Sequence, residues 1–256
     1  MNELRIDRSA DGIACVTLDN PDARNALTLA VRERLGELFD GFSSDPSVRC
    51  VVITGGPRIF AAGADLRDMV ERRPIELMLR RTEAAWRKIG GCAKPVIAAV
   101  NGYAWGGGCE LAMHADIIVA GEQSSFAQPE VRVGIMPGAG GTQRLTRAVG
   151  KFQAMRMLLT GCAVSGREAL AMGLVSEVVA DAAVLPRALE LAAQIAALPP
   201  LAVAQIKEVV LAGQDASLDA ALMLERKAGQ LLFDSADQKE GMRAFLEKRK
   251  PEFRGR

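Results

Sequence analysis

The chain has 256 residues, 49% hydrophobic and 25% charged, and its 32 Lys plus Arg nearly balance 31 Asp plus Glu for a net charge of +1. A chain of this length and composition can bury a large core without a disulfide or metal staple. With one tyrosine, two tryptophans and no global basic excess, it lacks the footprint and stacking platforms of a nucleic-acid binder.

Met1 to Asp7 alternates charged and apolar residues, unlike a signal or transit peptide. No apolar run approaches the roughly 20 residues that span a bilayer. The five cysteines (Cys15, Cys50, Cys92, Cys109, Cys162) are odd in number and scattered, which points to a reducing compartment, the cytoplasm, and away from a zinc site. One histidine, His114, excludes any mechanism that needs two.

Ile13 to Asp19 reads as a strand and Asn20-Pro21-Asp22 as a turn. Thr28 is placed to cap a helix whose apolar positions are Val31, Leu35, Leu38, Phe39 and Phe42. Three short β-branched runs follow, at 50–54, 95–100 and 116–120, as in strands buried on both faces, with helices expected near 75–90 and 107–115. From about residue 140 alanine-rich helical stretches dominate (143–160, 165–172, 183–197, 201–212, 217–233 and 237–249), with one short strand at 174–179. The class is α/β. Pro199-Pro200 divides an expected core, residues 1–198, from a C-terminal helical region, 199–256.

Three glycine-rich segments carry the chemistry. Phe60-Ala61-Ala62-Gly63-Ala64-Asp65-Leu66 follows a strand, with small residues that admit a ligand close to the backbone and Asp65 as a candidate cap. In Asn101 to Leu111, three glycines open a helix with unpaired amides, and Glu110 stands three positions after Gly107. The third segment runs from Gln128-Pro129-Glu130 to Gly138-Ala139-Gly140-Gly141-Thr142-Gln143; Gln143 stands where a dinucleotide fingerprint needs glycine, so NAD is not expected. Two glutamates can divide acid and base roles, and two open amides can hold an oxyanion. This set suits chemistry alpha to a thioester carbonyl and requires no metal.

At these residues the chain resembles the crotonase superfamily, specifically the enoyl-CoA hydratases. The matching stretches are Phe60 to Leu66, Pro95 to Glu110 and Gln128 to Arg147, with Gly-Leu-Val-Ser at 173–176 and Glu-Lys-Arg-Lys at 247–250. The resemblance implies a spiral of ββα units followed by helices that build homotrimers, commonly paired into hexamers. It implies an oxyanion hole from the backbone N–H groups of Ala64 and Gly107, catalytic Glu110 and Glu130 holding a water, and a donor near that water at Gly138. Ala62, Asp65 and Leu66 fall in the loop expected to line coenzyme A, and Lys248 matches a basic position that reaches the CoA nucleotide. The implied substrate is an acyl-CoA thioester, with no separate cofactor, no metal and no membrane or nucleic-acid partner.

The pattern is also similar to the dehydroadipyl-CoA hydratases of phenylacetate breakdown, whose acyl chain ends in a carboxylate; the sequence identifies no cation to meet it. Enoyl-CoA isomerase chemistry and an RNA-binding hydratase-like protein are the alternative readings. Trp105 stands where many hydratases carry a smaller residue, so it either shapes the acyl pocket or packs behind the loop. His114, four residues after Glu110, lacks a third ligand nearby. Cys109, Met155 and Met157 read as packing residues, and Met69 to Arg81 as either a flap over the acyl chain or a solvated helix.

Overall fold

The computed structural model describes residues 3–256. In chain order it contains β1 (Leu4–Arg8), β2 (Ile13–Leu18), α1 (Leu29–Ser44), β3 (Cys50–Thr54), α2 (Pro74–Leu79), α3 (Thr82–Gly90), β4 (Val96–Val100), β5 (Tyr103–Trp105), α4 (Gly107–Ala112) and β6 (Ile117–Gly121). There follow β7 (Ser125–Ala127), α5 (Gly141–Thr160), β8 (Val164–Ser165), α6 (Gly166–Ala171), β9 (Glu177–Val179), α7 (Val184–Ala196), α8 (Pro200–Gly213), α9 (Leu218–Leu232) and α10 (Ala236–Glu247). Thr28 caps α1 as expected, its hydroxyl accepting from the Val31 amide at 3.2 Å. The segment expected as one helix near 75–90 is two, because Arg81 at the junction adopts a left-handed φ of 47°.

Six strands form the main sheet in the order β1-β2-β3-β4-β6-β9, parallel except for the β1–β2 hairpin. Strands β3 and β4 are buried along their whole length, which explains their unbroken apolar runs. Alternate residues serve two cores. Val51, Ile53, Ala98 and Val100 join the larger one with Leu35, Phe39 and Trp86 from the helices. Cys50, Val52, Ile97 and Ala99 face Val184, Ala188, Ala192 and Ala196, a four-residue spacing that lays one face of α7 on the sheet.

A second sheet, β5-β7-β8, produces a repeat that the sequence conceals. After leaving the main sheet, successive turns of chain add a short piece to it: Ala61 bridges Ala104, Ala104 pairs with Phe126, and Phe126 with Val164. The chain then turns into a helix or 3-10 turn at Leu66–Asp68, at α4 and at Pro129–Val133. Residues 64 and 107 each stand three places after their bridging residue, and Glu130 four after its own. The spiral therefore lines up the three glycine-rich segments at one edge. Beyond α7 the chain bends by 110° at Pro199-Pro200 into α8, and no single helix among the described residues is long and apolar enough to cross a membrane.

Candidate active site

The segment around Ala64 is pinned from behind by the turn preceding α1. The Asn25 amide donates to the carbonyls of Gly55, Ile59 and Phe60 at 3.0, 2.8 and 3.1 Å. Ala62 N–H donates to Arg24 O at 3.0 Å, and Leu27 N–H to Gly63 O at 2.8 Å. Gly63, with φ +97°, brings this backbone against the second glycine-rich segment: a Cβ on Gly107 would lie 3.7 Å from the Ala64 amide nitrogen, and one on Gly63 would lie 3.3 Å from the Gly107 nitrogen. Gly107 is the first residue of α4, where an amide has no intrahelical acceptor. Among the described residues, neither the Ala64 nor the Gly107 amide finds a partner.

Glu110 lies one turn further along α4 and is only 3% exposed. Its Oε1 accepts from the Ala139 and Gly141 amides at 2.7 and 2.8 Å. These two donors were missing from the sequence reading, although the glycine run at 138–141 was the signal for backbone approaching the site. The Gly138 amide, the donor expected there, is not bonded to either glutamate and is free of protein acceptors among the described residues. Burial raises the Glu110 carboxyl above its ordinary range, opposed by the Gly141 and Ala139 bonds and by the field of Arg32.

Glu130 sits in the 3-10 turn Pro129–Val133 and points at the start of α4; a Cβ on Gly106 would come within 2.8 Å of its Oε1. The fully buried Gln128 turns its side-chain amide to this carboxyl; the orientation that satisfies both groups has Nε2 donating to Oε1 and Oε2 at 3.3 and 3.2 Å. Burial, with the charge of Glu110 added, pushes Glu130 up to about 7. Two carboxyls and two open amides thus converge from three turns of the spiral.

Residues 8–256 match the enoyl-CoA hydratase/isomerase family. The chain belongs to that family. It is 43% identical over 256 residues to the 2,3-dehydroadipyl-CoA hydratase of Escherichia coli strain K12, covering 100% of both chains. It is 44% identical over 242 residues to the mitochondrial enoyl-CoA hydratase of Pongo abelii, covering 94% of this chain and 83% of that one. The solved enoyl-CoA hydratase subunit I from Geobacillus kaustophilus superposes with a TM-score of 0.96 at 42% identity, covering 99% of this chain and 98% of that one. The fold of the family member is the crotonase spiral with its C-terminal helices, as the resemblance implied.

Within this hydratase-family frame, Ala62 and Asp65 flank the amide pocket, and Leu66 is 48% exposed at its rim. Asp65 caps only a 3-10 turn, accepting from Arg67 N–H at 3.0 Å and from its guanidinium at 3.1 Å. Lys248 is exposed at the left-handed C-terminus of α10, and no hydrogen bond or ion pair joins it to residues 62–66 among the described residues. Trp105 is partly buried, its indole N–H donating to Ser125 Oγ at 3.1 Å and its ring lying 5.0 Å from that of Tyr103. His114 Nδ1 donates to the Glu110 carbonyl at 2.7 Å while the ring stacks on Trp86 at 5.1 Å, so it props the base of α4. Cys109 is fully buried, and that burial drives its thiol far above the ordinary range, the state of a packing residue. Met157 is buried as expected, but Met155 is 45% exposed because it lies on the outer face of α5.

Proposed function

We infer that this protein adds water across the 2,3 double bond of an enoyl-CoA thioester, giving the 3-hydroxyacyl-CoA. The observation that carries the reading is the opposition of the Glu110–Glu130 pair to the unpartnered amides of Ala64 and Gly107. Those amides receive the thioester oxygen as negative charge develops on it in the enolate. Water sits between the two carboxyls, with the Gly138 amide as a further donor. Glu110, whose carboxylate form two backbone N–H groups favour against the effect of burial, accepts the proton of the water whose oxygen bonds to the β carbon. Glu130, poised near neutrality, gives its proton to the α carbon. Passing a proton from Glu110 to Glu130 resets the pair, so the cycle consumes only water and the alkene. The addition is redox-neutral and uses coenzyme A solely as part of the substrate.

Ala62, Asp65 and Leu66 form the CoA side of the cleft in this reading, and Lys248 meets CoA phosphates from a neighbouring protomer of a homotrimer or hexamer. Full-length identity of 43% to a 2,3-dehydroadipyl-CoA hydratase supports a substrate that ends in a carboxylate, as in phenylacetate breakdown. The scattered free cysteines fit a cytoplasmic setting.

The test follows the enoyl absorbance of crotonyl-CoA. Glu110→Gln and Glu130→Gln should each lower kcat by about 10²–10⁴-fold. Parent rates in both variants would refute the assignment.

A further inference from the structure

Helix α1 starts against the amide pocket: Leu27 N–H bonds to Gly63 O, and a Cβ on Gly107 would lie 3.7 Å from Leu27 Cδ1. Just over one turn later, Arg32 is half-buried, with its Nε donating back to Thr28 O at 3.4 Å. Around it stand the charges of Arg80, Asp68, Glu33 and Glu110, and Arg32 is the cation whose field reaches Glu110. Asp68, in the 3-10 turn Leu66–Asp68, is already engaged by Arg80 at 2.9 Å and Arg72 at 3.1 Å. Arg32 makes no ion pair with any described residue. A partly desolvated guanidinium with no counterion is unfavourable until an anion reaches it. Its free η-nitrogens form the planar fork that binds a carboxylate through two parallel hydrogen bonds.

We propose that Arg32 is the receptor for the terminal carboxylate of a short dicarboxylic enoyl-CoA, and so the residue that sets preference between charged and uncharged acyl chains. The inference rests on the hydratase reading above. In that reading the α and β carbons lie between the amide pocket and the two glutamates, and a carboxylate a few bonds further on meets the cation beside Glu110. Arg80 and Arg72 occupy Asp68, which leaves the Arg32 η-nitrogens without an ion pair.

Steady-state kinetics on two thioesters of equal length, 2-hexenoyl-CoA and 2,3-dehydroadipyl-CoA, tests this. The parent should favour the carboxylated substrate. In Arg32→Met the ratio of kcat/KM for the carboxylated over the uncharged thioester should fall about 10- to 100-fold, mostly through KM, the usual range for losing a charged hydrogen-bonding partner. Arg32→Lys should give an intermediate ratio, since it keeps the charge and loses the fork. A parent that prefers the uncharged chain overturns the proposal without any variant, and so guards against misfolding of Arg32→Met. An unchanged ratio in Arg32→Met also overturns it. So does an equal loss on both substrates with a displaced acid limb of the pH profile, because Arg32 would then act only through Glu110. A folded parent inactive on both thioesters refutes the hydratase reading itself, whereas an active parent with an Arg32-independent ratio refutes only this assignment.

Discussion

The Glu110 carboxylate receives two backbone N–H groups, while Glu130 faces the Gln128 side chain and the charge of Glu110. In the proposed mechanism those surroundings separate the roles of two identical side chains, Glu110 as base and Glu130 as acid. Their presence was legible because each stands in a glycine-rich segment; the amides of Ala139 and Gly141, the Gln128 contact and the open fork of Arg32 depend on spatial neighbours far apart in the chain. With Glu130 required as the acid, kcat/KM should fall as pH rises through about 7. The same shift fixes a sign for stability. A carboxyl raised in the folded state supports folding below its unfolded value, and that contribution is lost as pH climbs toward the folded one. Glu130→Gln should therefore raise Tm at pH 8 by about 3–6 °C, corresponding to about 1–2 kcal/mol after allowance for partial exposure. An unchanged or lower Tm would show that burial of this acid carries no penalty. For His114 the sign is opposite in pH: burial, with Arg144 nearby, lowers it to about 4, so stability present above 6.5 is lost as pH falls toward 4. Because it is the sole histidine, its titration by NMR checks the value directly.

At the scale of elements, long periodic helices and wholly apolar strands were readable in the sequence, and the short ones were not. Strands β5, β7 and β8 have three, three and two residues, too few to display an alternation. Yet they build the second sheet, and their pairing aligns the amides at 64 and 107. The close approach of α4 to the preceding turn depends on Gly108, where a Cβ would fall 2.1 Å from the Ala61 carbonyl oxygen. That atom belongs to backbone already bridged to Ala104 and cannot yield cheaply. Gly108→Ala should then cost about 1–3 kcal/mol of stability and, by shifting α4, lower kcat more than it raises KM. Gly41→Ala, where the added carbon meets nothing within 4 Å inside α1, is the matched control and should leave both near parent values. Comparable losses in the two variants would show that the spacing between α4 and Ala61 does not govern the site.

The single chain leaves an uneven surface. Helix α8 has no buried residue, α9 only Ala228, and α10 only Asp237 and Ala244. Leu218, Leu231, Phe233, Phe245 and Leu246 are each more than half exposed on or beside these helices, and Phe152 of α5 is 85% exposed. Apolar faces this extensive mark an interaction surface. On the proposed reading a homo-oligomer covers them and brings Lys248 of one protomer to the cleft of another. Native mass from light scattering should be a multiple of three chains. Phe245→Glu, which puts a charge into that face without touching a core residue, should shift the protein toward smaller species. In the intact oligomer Lys248→Ala should raise KM for the thioester several-fold with little change in kcat, and added salt should narrow the difference, as expected for an exposed charge meeting phosphate. Phe245→Glu should reproduce the KM increase, because it separates Lys248 from the cleft it serves. If Lys248→Ala raises KM equally in a dissociated Phe245→Glu background, the lysine acts on its own protomer and the shared cleft is wrong.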